Sequence, residues 1–424
     1  MLEAILDRRN LEKALRQVLS NGGSAGVDGM QTDELRDYLS NSYQALRQSV
    51  LSGTYEPLPV KSVLIPKPNG GTRQLGIPSV KDRLLQQAIS QWLSQFYEPT
   101  FSSSSYGFRP GRSAHQAVLE GHRELQEGKI WIIELDLANF FDRVNHDRLM
   151  STLERRISDR RTLGLLRQYL NSGILQDGVV SQRTAGTPQG SPLSPLLSNI
   201  VLDELDKELE RRGLSFVRYA DDISLYVRSK KSAERVLKSI TRYIEERLLL
   251  KVNAAKSRVS RPWESHLLGF SFYRHNGEYK IRISPASIAR VKKKCKKLTG
   301  RSNGLNTRQK LGKLRALIYG WVSYFKLASA SKAMSTMDKY VRTRLRIGIW
   351  KEWKHPRRRV ANLRKLGATK SNAIKWGTSS KGYCRIAHSR ALCIILDNAY
   401  FTNLGYTGFL LSYERLVKMQ TSLF

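Results

Sequence analysis

Residues 216–226 read Phe216-Val217-Arg218-Tyr219-Ala220-Asp221-Asp222-Ile223-Ser224-Leu225-Tyr226, paired aspartates set between two apolar runs. Val217 to Ala220 and Ile223 to Val227 have strand composition, so the aspartates fall in a tight turn. Adjacent carboxylates against apolar strands are costly unless something cationic neutralises them. A second acidic strand lies upstream: Ile132-Ile133-Glu134-Leu135-Asp136, continuing as Leu137-Ala138-Asn139-Phe140-Phe141-Asp142. An Asp-Asp pair taken alone is most often a surface turn. Two strands that each deliver acid are better explained by a shared divalent metal, and Mg2+ is held by a few carboxylates plus phosphate oxygens.

Outward from these strands, residues 1–50 read as helical, with Leu11, Leu15 and Val18 on one face and a Gly-rich loop from Asn21 to Gly29. Val60 to Ile65 and Arg73 to Ile77 flank the turn Lys67-Pro68-Asn69-Gly70-Gly71, a hairpin signature. Helices are expected over Asp82–Phe96, Leu149–Leu170, Leu193–Arg212 and Ala233–Arg247, and a second hairpin over Leu267–Tyr273 and Tyr279–Ile283. This order predicts an α+β core followed by a helical appendage.

The charge is strongly asymmetric. The chain of 424 residues carries 72 Lys and Arg against 36 Asp and Glu, net +36. Residues 287–424 hold 31 of those basic and 4 of those acidic residues, net +27, against +9 for the rest. A field of this sign gathers polyanions. No run of about 18 apolar residues is present to span a bilayer, and Met1 to Asn10 lacks the apolar stretch of a secretory signal. The expectation is a soluble cytoplasmic protein, bound to nucleic acid and not to membrane. Cys295, Cys384 and Cys393 form no CxxC pair and read as incidental thiols. Apolar residues at helical spacing (Leu314, Leu317, Ile318, Trp321, Phe325) mark the basic third as a folded nucleic-acid clamp rather than a solvated tail. Nucleotide polymerisation joins these observations, because it uses two divalent cations about 3.5–4 Å apart on a nucleic-acid substrate.

Four motifs carry a resemblance. They are the Tyr219-Ala220-Asp221-Asp222 box, the stretch Asp136 to Asp142, Gly186-Thr187-Pro188-Gln189-Gly190-Ser191-Pro192-Leu193-Ser194-Pro195, and Ser102 to His115 with Tyr106-Gly107-Phe108-Arg109-Pro110-Gly111-Arg112-Ser113. In order and spacing, over about residues 55–275, they resemble the reverse transcriptases encoded by group II introns. Ile318-Tyr319-Gly320-Trp321-Val322-Ser323-Tyr324-Phe325 is similar to the helical thumb, or maturase domain, of the same enzymes. The resemblance implies a right-hand polymerase: an N-terminal extension and fingers over 1–80, fingers and palm with an antiparallel sheet over 81–285, thumb over 286–365, and a basic DNA-binding-like domain over 366–424.

It also implies roles. Asp136, Asp221 and Asp222, with the Leu137 carbonyl, would hold two Mg2+ ions, for which Mn2+ substitutes. Phe141 resembles the steric gate against a ribose 2′-OH, with core packing as its alternative. Lys67 and Arg73 would meet the triphosphate, unless they are only a solvated hairpin tip. Gln189 and Gly190 would lie by the nascent base pair. Lys256, in Val252-Asn253-Ala254-Ala255-Lys256-Ser257, would protonate the pyrophosphate leaving group or else serve a structural salt bridge. Arg109, Arg112, Tyr219, Lys292, Lys293, Arg342 and Arg344 would contact template and primer. Trp350 and Trp353 would stack on bases or fill a core. The implied partners are an RNA template, a DNA or RNA primer, dNTPs, a group II intron RNA and target DNA. The absence of paired CxxC motifs leads to an expectation of the compact bacterial class without a nuclease. Two other readings remain open: a related enzyme domesticated for defence or repair, and an RNA-binding splicing cofactor without polymerase activity.

Overall fold

The computed structural model describes every residue except 67–69, 177, 183 and 422–424. The chain divides into two compact units, Met1–Pro262 and Trp263–Phe424, and its fold is mixed α+β. The division falls ahead of the expected boundary at 285/286, so the hairpin at 270–283 belongs to the second unit.

The first unit carries β1 (Val60–Pro66), β2 (Thr72–Ile77), β3 (Trp131–Asp136), β4 (Ile174–Gln176), β5 (Val179–Ser181), β6 (Ser215–Tyr219), β7 (Asp222–Val227) and β8 (Arg258–Ser260). They form two sheets, in the orders β2-β1-β4-β5 and β6-β7-β3-β8. In the second sheet β7 is flanked by β6 and β3, with antiparallel pairing on both sides. Helix Ala114–Gln126 packs on β6 and β7, and helix Lys230–Glu246 packs on β3, β7 and β8. Ile223 to Val227 are accordingly all buried, which is why this strand reads as a continuous apolar run and not as an alternation. Ile133, Leu135, Phe216, Ile223 and Leu225 share one core with Ile240 and Ile244 of helix Lys230–Glu246 and with Leu202 and Leu205 of helix Ser194–Arg211. Each such fully buried aliphatic side chain contributes roughly 1.5–3 kcal/mol. That core fixes the strands whose tips carry the acids.

The helical expectations hold in part. Residues 1–52 form three helices, Leu2–Ile5, Arg8–Asn21 and Leu35–Ser52. The expected helix over 149–170 is two, His146–Glu154 and Arg160–Asn171, because Asp159 caps the second by accepting from the Arg161 and Thr162 amides. The three-residue strands β4, β5 and β8 carry too little pattern to be read from sequence.

The second unit opens with the hairpin β9 (Phe270–His275) and β10 (Glu278–Ile283). Helices Pro285–Leu298, Thr307–Phe325 and Ser331–Glu352 follow, then shorter helices from Pro356 to Thr421. Leu314, Ile318, Val322, Met334, Val341 and Leu345 are buried, so the basic third is folded. Asp338 accepts from the Tyr406 hydroxyl (2.7 Å) and from the Phe409 (2.7 Å) and Leu410 (3.0 Å) amides, tying the long helix to the start of helix Phe409–Thr421. Among the described residues no helix is long and apolar enough to cross a membrane.

Candidate active site

Two carboxylates face each other where β3 ends and β7 begins, and a third, Asp221, precedes them in the β6–β7 turn. Asp136, the last residue of β3, stands directly opposite Asp222, the first residue of β7. Tyr219 pairs with Asp222 across the two-residue turn Ala220-Asp221. Crowding by the surrounding chain, then the charges of Asp221 and Asp136, push the Asp222 carboxyl up to about 6. Solvent still reaches the Asp222 side chain, so the like-charge part of that rise carries the greater weight. Asp221 is raised by burial and by Asp136, against the opposing charges of Arg73 and Lys256.

The segment after helix Lys230–Glu246 docks beside the continuation of β3. Asn253 N–H donates to the Asp136 carbonyl (2.8 Å) and Ala138 N–H to the Lys251 carbonyl (2.7 Å), with Leu137 facing Val252. Neither bond uses the Leu137 carbonyl. This docking brings the Asn253 amide to Asp136 at 2.9 Å and the Lys256 ammonium to both its oxygens at 3.2 and 3.3 Å. The ammonium is thus a salt-bridge partner of Asp136 in this geometry. Among the described residues no three acidic, His or Cys side chains already close around one point. The donor chemistry nonetheless fits a hard divalent cation: two carboxyls driven upward partly by like charge, a third beside them, and oxygen as the only ligand atom.

A second group of residues is gathered by the loop 186–190. Thr187 N–H donates to the Phe141 carbonyl (2.6 Å) and Gly186 N–H to the Val144 carbonyl (2.8 Å). Gly76 N–H in β2 donates to the Gln189 carbonyl (2.8 Å), and Arg73 Nε donates to Gln189 Oε1 (2.6 Å). Gly190 has φ 114°, and a Cβ there would fall 2.7 Å from the Gly76 carbonyl oxygen, so only glycine allows this approach. Arg73, Phe141, Gln189 and Gly190 are therefore joined into one assembly. Phe141 is buried in the core, its ring edge-on to Phe140 at 5.3 Å. Lys67 lies outside the described residues.

The expected template-contacting residues fare unevenly. Tyr219 is half-buried beside Asp222, and Arg112 is half-buried over the Tyr106 ring. Arg109 is otherwise employed: its guanidinium is buried and donates to Glu98 (2.8 Å) and to the carbonyls of Ser102 (2.5 Å) and Ser105 (2.9 Å). It holds a turn together and offers little to a phosphate. In the second unit Lys293 is exposed, Lys292 lies over the Tyr340 ring, and Arg342 is half-buried. Arg344 donates to Thr299 Oγ1 (3.3 Å) and the Lys296 carbonyl (3.4 Å), linking two helices. Trp350 is fully buried, which decides for core packing.

The residue that sequence reasoning passed over is Arg218, wholly buried in β6 with its guanidinium on Asp206. An arginine inside an apolar strand was the available signal, since arginine is almost never fully buried unpaired.

Two family profiles match this chain. Residues 65–272 match reverse transcriptase (RNA-dependent DNA polymerase), and residues 288–367 match the group II intron, maturase-specific domain. Protein YkfC of Escherichia coli K12 is 34% identical over 321 residues, 66% of this chain and 84% of YkfC. The chain belongs to the group II intron reverse transcriptase family. The group II intron-encoded protein LtrA of Lactococcus lactis is 37% identical over 206 residues, 48% of this chain, which spans only 34% of LtrA. A solved Cas6-RT-Cas1–Cas2 complex superposes on 57% of this chain at TM-score 0.35 and 24% identity, too partial a likeness to bear on function. As a group II intron reverse transcriptase, the chain carries an RNA-directed DNA polymerase domain followed by a maturase domain.

Proposed function

We propose that this chain copies an RNA template into DNA by nucleotidyl transfer at Asp136, Asp221 and Asp222, and that it also assists splicing and mobility of a group II intron RNA. The observation that carries the first part is the strand register, which sets Asp136 against Asp222 with Asp221 beside them. The maturase match supports the second. In this reading the sheet β6-β7-β3-β8 is the palm, β1 and β2 belong to the fingers, residues 286–365 are the thumb, and residues 366–424 meet target DNA.

The three carboxylates and the Leu137 carbonyl would hold two Mg2+ ions, or Mn2+ in their place. Held there, the ions would supply Lewis acidity to the primer 3′-OH and countercharge to the triphosphate. Arg73 and Lys67 hold the triphosphate, the forked guanidinium suiting paired phosphate oxygens. Gln189 and Gly190 line the nascent base pair, and Phe141 closes the space beside the 2′ carbon. Lys256 is assigned to protonate the departing pyrophosphate. Primer extension on an RNA template with dNTPs tests the whole. Failure to add a single nucleotide, with Mg2+ or Mn2+, overturns it.

Two expected outcomes follow from single residues. Phe141→Ala should admit ribonucleotides, raising their relative kcat/KM by on the order of 10–10². If the variant excludes them as strongly as the parent does, Phe141 acts only in packing. The second outcome concerns pH. The folded pKa of Asp222, about 6, lies above its ordinary 3.8. In the metal-free protein this group contributes stability below about pH 4 and loses it as pH rises through about 6. Below about 6 a cation must also displace a proton. Mg2+ should therefore raise the melting temperature more at pH 8 than at pH 5, and an equal rise at both would remove Asp222 from the ligand set.

A further inference from the structure

The turn that presents Asp221 and Asp222 is not a comfortable one. Ala220 adopts φ 57°, in the left-handed region that a residue with a Cβ rarely enters. Such backbone persists only where its surroundings over-determine it. Here the surroundings are specific. Arg218, wholly buried, donates from Nε and Nη2 to the two oxygens of Asp206 at 2.7 and 2.5 Å, and Asp206 is itself wholly buried. The Arg218 Nη1 donates to the Ala220 carbonyl at 3.1 Å and to Asn199 Oδ1 at 2.9 Å. The Asn199 amide donates in turn to the Gly107 carbonyl at 3.0 Å. The segment around Gly107 is also bonded to the strand through Arg218 N–H to the Ser104 carbonyl (2.9 Å) and Tyr106 N–H to the Arg218 carbonyl (2.8 Å). At Gly107 an added Cβ would lie 2.2 Å from the Ala220 nitrogen, so the segment rests directly on the turn.

Each part of this arrangement serves another. Asp206 supplies the counter-charge without which a buried guanidinium would be untenable. It leaves one edge of the fork pointing at the Ala220 carbonyl. A neutral donor would make that bond more weakly, because charge-assisted bonds are roughly twice as strong. The planar fork also reaches Asp206, Asn199 and Ala220 at once, which an ammonium cannot. The Tyr106-Gly107 part of the 102–115 motif thereby acquires a purpose here: it is the floor under the aspartate turn.

We propose that Arg218, held by Asp206 and Asn199, is a positioning residue that sets the angle at which Asp221 and Asp222 are offered to divalent metal. Arg218 touches no substrate and acts through the Ala220 carbonyl. The inference rests on the metal-binding role assigned to the aspartates, and its readouts do not depend on polymerase activity alone.

The test uses Arg218→Lys and Asn199→Asp in the full chain, with Arg346→Lys as control. Arg346 is another buried arginine, bonded to the Leu396 carbonyl at 3.0 and 2.9 Å, in the other unit. Mn2+ affinity is read by electron paramagnetic resonance of the free ion, and amide hydrogen exchange is read over residues 216–226. Arg218→Lys and Asn199→Asp should each weaken Mn2+ binding by about tenfold, the usual effect of removing a partner that orients ligands. Exchange in the turn should quicken, the Mg2+ needed for half-maximal extension should rise in parallel, and KM for dNTP should hold within about twofold. The control should lower melting temperature alone. Asn199→Asp keeps the side chain's shape, so it remains informative if Arg218→Lys fails to fold. Parental Mn2+ affinity and turn exchange in a folded variant overturn the proposal, as does an equal Mn2+ loss in the control. If Mn2+ affinity falls as expected but the parent extends no primer on RNA, the positioning role stands and the polymerase reading falls.

Discussion

Asp222→Asn should abolish primer extension, by on the order of 10³ or more, while RNA affinity stays within about twofold of the parent. Asp222 stands opposite Asp136 and next to Asp221, and its pKa is raised in part by their charges. Amidation keeps the size of the side chain and removes one of the negative charges proposed to hold the cations. It also relieves repulsion, so the variant should melt no lower than the parent in metal-free buffer at pH 8. Loss of activity with retained or raised stability separates a ligand from a structural residue, since a structural carboxylate would show the reverse. Single-turnover extension, RNA filter binding and a melt on one preparation decide it. Extension within tenfold of the parent would sink the assignment of Asp222.

The second large effect concerns salt. Residues 287–424 carry net +27, and on helix Pro285–Leu298 the residues Lys292, Lys293, Lys296 and Lys297 are exposed around a buried Val291 and Cys295. If these cations grip a template–primer duplex, each phosphate they neutralise adds about −0.9 to the slope of log affinity against log salt. A grip on six to ten phosphates then loses on the order of 10³–10⁵ in affinity between 50 and 200 mM salt. Changing the four lysines to glutamine should flatten the slope by up to about 0.9 for each phosphate no longer neutralised and shorten the cDNA made per binding event. Arg344 and Arg346 are left alone, because they bond Thr299 and the Leu396 carbonyl and their loss would disturb packing. Single-nucleotide addition at saturating template should survive. Duplex affinity over a salt series gives the answer, and equal slopes in parent and variant would remove this helix from the clamp.

The two cases differ in how far they depended on tertiary structure. Both aspartate strands, the basic helical third and the hairpin around Gly70 were legible in the order of residues. Period and composition report whether a segment is buried and on how many faces, and those are local properties. Net charge is additive, so its asymmetry needed no fold at all. The family motifs were legible for the same reason, being short contiguous strings.

Pairing between distant segments is not local, and there the tertiary structure alone decided. The docking of Asn253 and Lys256 on Asp136 closes a gap of 117 to 120 residues. Arg109 looked like a template–primer contact until Glu98 and two carbonyls took up its donors. Trp350 looked able to stack on a base until burial removed it from solvent. A side chain's type states what it can bond to, whereas only the packed fold states which partner arrives first. Arg218 shows this most fully: one cation in an apolar strand is an anomaly in sequence. Its meaning comes from Asp206, Asn199 and the Ala220 carbonyl converging on it in a space that excludes water.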